Sequence, residues 1–255
     1  MIGIDQILKY AQSDKLSKHI LQEYFQYEIL DSFFKQEGSM DYSFVGGTAI
    51  RIAYGGGRYS EDLDFDTTNI DSFEKLLSLV IKDMEYKGYE LEFKFQHKGV
   101  YHCHIKFPRI LHTYGLSGYK EEKMLIKFDA APFSKLYCVS QSLSNYGIFR
   151  KIQVAPSPVL LAKKLLTIGA RKRAKGRDLY DVTWLWGMGT ADPEYLKNES
   201  RMTLKQILSD VQNYVTTLDL QTLAIETKEF LINPDDVNRI LEFSEFINQQ
   251  LKKIK

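Results

Sequence analysis

Residues 42–66 constrain the fold of this chain more than any other stretch, because they combine strand, turn and helix signals in a fixed order. Residues 42–45 (YSFV) are aromatic and β-branched, as strand residues usually are, and they run directly into a double glycine. Residues 48–54 have the pattern of a short helix that ends at three further glycines, at 55–57. Residues 62–66 (DLDFD) then have the pattern of a second strand, so the stretch predicts an α/β arrangement.

The second of these strands separates acidic from apolar side chains. Because side chains alternate along a strand, Leu63 and Phe65 share one face, whereas Asp62, Asp64 and Asp66 share the other. Two carboxylates at this spacing repel each other unless a cation lies between them. Mg²⁺ is usually held by one or two protein carboxylates together with phosphate oxygens and water, so this strand predicts a magnesium site beside a phosphate.

The glycine pair provides the complementary phosphate site. Gly46 and Gly47 allow the backbone to approach a ligand closely, and the helix after them presents free N–H groups and a positive dipole end. Thr48 adds a hydroxyl group. The whole stretch therefore predicts binding of a nucleoside triphosphate (NTP) with its metal ions.

Hydrophobic periodicity changes along the chain. Residues 4–36 and 71–86 have helical spacing, and the pattern is helical throughout from Pro156 onward. Strand-like runs between them span residues 89–96, 101–107 and 123–130. We expect an α/β domain with N-terminal helices over residues 1–150 and a helical domain over residues 151–255.

Composition limits the partners and the location. The 34 basic and 33 acidic side chains nearly cancel, so a nucleic acid would have to contact a local basic patch. Cys103 and Cys138 form no disulfide framework, which indicates a reducing compartment. The sequence shows no signal-like start and no apolar run approaching the ~20 residues of a membrane span. We therefore expect a cytoplasmic protein without a membrane partner.

The glycine pair, a spacing of about a dozen residues, and Asp-hydrophobic-Asp together resemble the signature of polymerase-β-like nucleotidyltransferases. More narrowly, GGTAI at 46–50, Arg58 and SEDLDF at 60–65 resemble the AbiEii/AbiGii toxin family. The resemblance implies a polymerase-β-like nucleotidyltransferase domain with a mixed sheet, followed by a C-terminal helical domain. It also assigns Arg58 and Ser60, with the glycines and Thr48, to nucleotide binding.

The superfamily needs a third carboxylate on a neighbouring strand. In residues 123–130 (KMLIKFDA), alternation leaves Lys127 and Asp129 on the face opposite the apolar side chains. The resemblance implies that Asp129 binds metal with Asp62 and Asp64 and acts as the base. Two Mg²⁺ ions about 3.5–4 Å apart would lower the pKa of the attacking hydroxyl and stabilise the leaving pyrophosphate. The alternative is a strand-end aspartate that caps the following turn.

The helical half matches the same family at LAKKL (161–165) and RDLYDV (177–182). On that alignment Lys164, rather than the lysine before it, is the functional lysine, which would neutralise charge on the leaving pyrophosphate. Asp178 is implied to orient this lysine or a sugar hydroxyl, and Asp181 to fix the helix pair and contribute to nucleotide binding. Without the resemblance, the Arg-Asp pair is an ordinary ion-pair feature of a helix.

A cationic run, RKRAK at 171–175, lies between those two segments. By itself such a run is usually a solvated loop. In the toxin family the acceptor can be RNA, in some members a tRNA 3′ end, and an antitoxin encoded alongside counters the toxicity. The run would suit contacts with an RNA backbone.

One further pattern is His102 and His104 on a predicted strand, around Cys103. No second Cys or His cluster with structural-zinc spacing follows, so we expect no zinc site. The sequence thus predicts a magnesium-dependent nucleotidyltransferase that moves a nucleoside monophosphate from an NTP to an acceptor hydroxyl, on RNA such as tRNA, as the toxin of a toxin–antitoxin pair. Two alternatives stay open: a small-molecule nucleotidyltransferase of the aminoglycoside-modifying type, and a catalytically idle NTP-binding module that acts through a protein partner.

Overall fold

In the computed structural model, which describes residues 2–97 and 100–254, the chain is organised as two units. The first unit consists of the chain up to Ala53 and of Tyr59–Ala155. The second consists of Tyr54–Arg58 and of the chain from Pro156 onward. The domain limits expected from the sequence, 1–150 and 151–255, stay a prediction.

The first unit is a mixed sheet with helices. Its strands are β1 (Tyr42–Val45), β2 (Leu63–Thr67), β3 (Glu92–His97), β4 (Tyr101–Phe107), β5 (Met124–Pro132), β6 (Val139–Asn145) and β7 (Ile148–Val154). Its helices are α1 (Ile4–Ala11), α2 (Lys18–Phe34), α3 (Gly46–Tyr54, whose last residue belongs to the second unit), α4 (Phe73–Tyr86) and α5 (Ile110–Thr113). The strand order is β3-β4-β5-β2-β1-β7-β6, which places β2 beside antiparallel β1 and parallel β5.

An aromatic core fixes these central strands. Phe65 of β2 and Phe128 of β5 stack with their ring centroids 4.5 Å apart, and Phe33 of α2 contacts both rings. α2 packs against α4, and Phe73 at the start of α4 contacts Phe128. Because side chains alternate along each strand, the acidic residues of β2 and β5 project from the other face.

The hairpin formed by β6 and β7 was not predicted from the sequence. These strands pair in antiparallel fashion across the two-residue turn Tyr146-Gly147, whose φ angles are 51° and 77°. Positive φ at both turn positions is the geometry that matches the twist of a tight hairpin. β6 (VSQSLSN) has few apolar residues, so alternation gives it only a weak strand signal.

The second unit is helical, as the periodicity after Pro156 predicts. Its helices are α6 (Ser157–Ala170), α7 (Gly176–Trp186), α8 (Pro193–Ser200), α9 (Leu204–Val215), α10 (Leu220–Lys228), α11 (Asn238–Leu241) and α12 (Phe243–Lys253). α6 packs against α7, and an isolated antiparallel bridge joins Arg58 to Leu231. Within the described ranges, no helix has both the length and the apolar character needed to cross a membrane.

Candidate active site

The first unit brings two of the predicted carboxylates into register. Asp64 of β2 lies directly opposite Asp129 of parallel β5, and neighbouring strands are about 4.8 Å apart. Leu63, Phe65 and Phe128 are buried, whereas the two aspartates between them are partly exposed. The predicted faces of both strands are therefore confirmed. Asp62 lies immediately before β2.

Gly46 makes room for the Asp64 carboxylate. It is the first residue of α3 and follows Val45, which pairs with Asp64 across the β1–β2 ladder. Its φ is +79°, a conformation that favours glycine, and an added Cβ would overlap the carboxylate, with Asp64 Cγ only 2.9 Å away. Both backbone conformation and space therefore require glycine here. Gly47 follows in the first turn of α3 and is buried.

Two further predicted residues, Thr48 and Ser60, make hydrogen bonds near the start of β2. Thr48 is fully buried, and its hydroxyl donates a hydrogen bond to the backbone carbonyl of Asp62. The backbone carbonyl of Ser60 accepts a hydrogen bond of 2.8 Å from Gln26 Nε2. Thr48 and Ser60 thus lie close to the start of β2, the strand that carries Asp64. Their roles in nucleotide binding stay predictions.

Basic side chains contact the carboxylates of Asp129 and Asp62. His102 Nδ1 of β4 lies 2.8 Å from Asp129 Oδ1, and Lys127 Nζ lies 3.7 Å from Asp62 Oδ1. Alternation along β5 predicted the face of Lys127 but not its partner. The contact between His102 and Asp129 was not predicted, because the pairing of β4 with β5 is a tertiary feature.

The donor set fits magnesium chemically, because carboxylate oxygens are the ligands that this hard cation prefers. Across residues 2–97 and 100–254, however, no three His, Cys, Asp or Glu side chains converge closely enough to hold a metal ion. The structure therefore brings the strands of Asp64 and Asp129 together, and metal binding by these residues and Asp62 stays a prediction.

In the second unit, Arg58 and Asp181 form a buried two-point ion pair. Arg58 Nε donates to Asp181 Oδ1 at 2.7 Å, and a terminal guanidinium nitrogen donates to Oδ2 at 2.6 Å. The two side chains are 4% and 1% exposed. Burial alone would raise the pKa of Asp181, but the charges of Arg58 and Lys164 outweigh it and hold the pKa below its ordinary value of 3.8.

Lys164 joins this pair to Asp178. Its ammonium group lies 2.8 Å from Asp178 Oδ1 and 2.8 Å from Asp181 Oδ2, and its side chain is 13% exposed. Burial lowers the pKa of Lys164, yet attraction to Asp181 and Asp178 outweighs burial and raises it above its ordinary value. The ammonium group is therefore charged at neutral pH.

The other carboxylate oxygen of Asp178, Oδ2, lies beside Arg171. It lies 3.1 Å from Arg171 Nε, close enough for an ion pair, but the angle is too poor for a hydrogen bond. Among the described residues this buried oxygen has no hydrogen-bond partner. The sequence placed Arg171 only in the cationic run, since its side-chain partner depends on how α6 and α7 pack.

Comparisons with known proteins identify a family and a shared fold. The family model "Nucleotidyl transferase AbiEii toxin, Type IV TA system" matches residues 28–251. No curated protein matches the sequence. The structure is similar to JHP933 from Helicobacter pylori, with 17% identity and a TM-score of 0.54 over 94% of this chain and 96% of that chain. A second H. pylori structure, described as a candidate nucleotidyltransferase, has 16% identity and a TM-score of 0.53 over 94% and 99% of the two chains.

At such identities the two structures show the fold alone. The fold that they share with this chain confirms the predicted fold class, a nucleotidyltransferase domain with a mixed sheet followed by helices.

Proposed function

Because the chain belongs to the AbiEii family of nucleotidyltransferase toxins, we propose that it moves a nucleoside monophosphate from an NTP to a hydroxyl group of RNA, with Mg²⁺. The observation that carries this proposal is the register of Asp64 with Asp129 on parallel strands, with Gly46 against the Asp64 carboxylate. In this arrangement the carboxylates of Asp64 and Asp129 project from the same side of the sheet. They lie next to the N-terminus of α3, which suits a phosphate group.

In the proposed reaction, the acceptor hydroxyl oxygen bonds to the α-phosphorus while the bond from that phosphorus to the pyrophosphate oxygen breaks. The hydroxyl proton passes to the Asp129 carboxylate. Asp62, Asp64 and Asp129 would hold two Mg²⁺ ions, which when bound would supply positive charge to the phosphates and lower the pKa of the hydroxyl. The N–H groups at Gly46 and Gly47 would contact the phosphates of the NTP.

Lys164 is proposed to neutralise the charge that develops on the leaving pyrophosphate. Its support is a charged ammonium group held by Asp178 and Asp181, of which Asp181 is itself fixed by Arg58. In this account Asp178, whose Oδ2 lacks a hydrogen-bond donor among the described residues, holds Lys164 and also accepts a ligand hydroxyl. Arg58 and Asp181 act mainly by holding the lysine.

The acceptor is proposed to be RNA, such as tRNA. Support comes from the exposed side chains of Lys172, Arg173 and Lys175, which form a local basic patch on a chain with net charge +1. The family's assignment to type IV toxin–antitoxin systems supports a role as the toxin of a pair with a cognate antitoxin.

The test is to incubate the protein with Mg²⁺, total RNA and each of the four NTPs in turn, labelled at the α-phosphate. We expect one or more NTPs to label RNA, and chelation of the metal to abolish labelling. Label that enters an added aminoglycoside but not RNA would contradict the RNA acceptor and favour a small-molecule acceptor. Binding of NTP without transfer to either would contradict the enzymatic proposal.

A further inference from the structure

We propose that His102 is a positioning residue for Asp129. Its Nδ1–H group holds Asp129 Oδ1, which leaves Oδ2 as the oxygen that acts on metal and acceptor. The inference rests on the proposed function, because it assigns a partner to the proposed base. It also gives a role to one of the two histidines, His102 and His104, for which the sequence alone predicts none.

The hydrogen bond follows from the sheet itself. β4 runs antiparallel to β5, and His102 is directly opposite Asp129 in that ladder. The Nδ1 to Oδ1 distance is 2.8 Å, and the two side chains are 29% and 22% exposed. Which atom donates depends on the imidazole tautomer. We place the proton on Nδ1, because an ionised carboxylate can only accept hydrogen bonds and a charged acceptor strengthens them.

The strand also fixes where the imidazole lies. β4 is an interior strand of the sheet, paired with β3 on one side and β5 on the other. The residue after His102, Cys103, points to the opposite face and is fully buried. If β4 shifted by one residue, the buried Cys103 would become exposed, so the register of the strand is fixed. The imidazole of His102 is therefore held opposite Asp129.

A carboxylate with one oxygen held in this way loses rotational freedom and presents the other oxygen in a defined direction. Loss of such a partner behind a metal ligand typically weakens metal binding 10- to 100-fold. The chain offers a matched control in His104, which shares the strand face of His102 but lies opposite Lys127 instead of an aspartate. Both histidines are partly exposed, so their replacement should perturb the sheet to a similar degree.

The experiment compares His102→Ala, His102→Asn, His104→Ala and Asp129→Asn with the wild type. Mn²⁺ affinity is measured without nucleotide from the electron paramagnetic resonance signal of the free ion, and kcat and KM for NTP are measured separately. We expect His102→Ala to weaken Mn²⁺ binding about 10- to 100-fold and to lower kcat, with KM for NTP little changed. His102→Asn should recover most of both, because its amide nitrogen can replace Nδ1. His104→Ala should resemble the wild type.

Equal behaviour of His102→Ala and His104→Ala in Mn²⁺ binding and kcat would overturn the inference, and so would equal losses in His102→Ala and His102→Asn. If Asp129→Asn abolishes transfer while His102→Ala does not differ from wild type, only the positioning role fails. If Asp129→Asn transfers nucleotide normally, or the wild type binds no Mn²⁺ either alone or with a non-hydrolysable NTP analogue, the proposed function fails and this inference with it.

Discussion

At the scale of single residues, Gly46 links a backbone conformation to the position of a carboxylate. Gly46→Ala would force a methyl group against the Asp64 side chain. We expect transfer to fall about 100-fold, the order of loss that follows a displacement of about 1 Å at a reacting group. The measurement is the initial rate of label transfer from NTP.

Gly38→Ala is the control for the conformational part of this effect. Gly38 has a similar φ of +88°, but an added Cβ there would meet no described atom within 4 Å. Each variant should lose about 1–2 kcal/mol of stability from a left-handed alanine, and Gly46→Ala should lose more because its methyl group also overlaps the Asp64 side chain. If both lose activity equally, contact with Asp64 is not the reason for the glycine.

Lys164 and Lys163 form a second comparison between neighbouring residues. Lys164 contacts Asp178 and Asp181, whereas the Lys163 ammonium group lies 5.7 Å from the centre of the Tyr195 ring. Lys164→Ala should remove about 2–4 kcal/mol of transition-state stabilisation, whereas Lys163→Ala should do little. Steady-state kcat/KM for the NTP measures this, and equal losses would contradict the assignment of Lys164. Thermal unfolding of both variants separates lost catalysis from lost folding.

At the scale of elements, the Arg58–Asp181 pair ties residues 54–58 to α7. Arg58→Ala leaves the Asp181 carboxylate buried without its two guanidinium hydrogen bonds, and breaking such a pair costs about 3–5 kcal/mol. We expect a lower denaturant midpoint of unfolding. Arg173→Ala is the control, because its pair with Glu226 is exposed and should contribute little. Similar midpoints for Arg58→Ala and Arg173→Ala would contradict a stabilising role for the buried pair.

The same pair predicts a pH dependence. The pKa of Asp181 is lower in the folded protein than its ordinary value of 3.8, so its stabilisation is present above that pH and disappears as pH falls through the folded pKa. The difference in unfolding free energy between wild type and Asp181→Asn should therefore be largest near neutral pH and shrink below about pH 4. Urea unfolding of both proteins over this range tests it. A difference that does not change with pH would show that the carboxylate charge contributes nothing.

How far sequence could predict these elements depends on the range of the interaction. The faces of β2 and β5 were predictable, because alternation is local and Phe65 and Phe128 mark the buried side. The pairing of Arg58 with Asp181 was not, because the two residues are 123 positions apart and meet only after the helices pack. The hairpin of β6 and β7 was missed for the opposite reason, a local signal too weak to recognise.

At the scale of the whole molecule, the near-neutral charge requires any RNA contact to be local. Replacing Lys172, Arg173 and Lys175 with glutamine should weaken RNA binding and reduce the slope of log affinity against log salt by about one unit per lost phosphate contact. Arg171 is left intact because it pairs with Asp178. NTP binding should persist.

The control for that variant is Lys252→Gln with Lys253→Gln, which removes exposed charges from α12. Filter-binding titrations at several salt concentrations measure both proteins. An unchanged salt slope in the triple variant, or the same decrease in the control, would show that the loop has no specific part in RNA binding.

The central claim is that the carboxylates beside Gly46 perform nucleotide transfer, and Asp64→Ala tests it most directly. Asp64 projects from the face opposite the aromatic core, so the variant should retain the circular dichroism spectrum and unfolding midpoint of the wild type. The measurement is the initial rate of α-label transfer from NTP to RNA at saturating Mg²⁺. We predict that transfer is abolished in the folded variant; a rate close to that of the wild type would contradict the account.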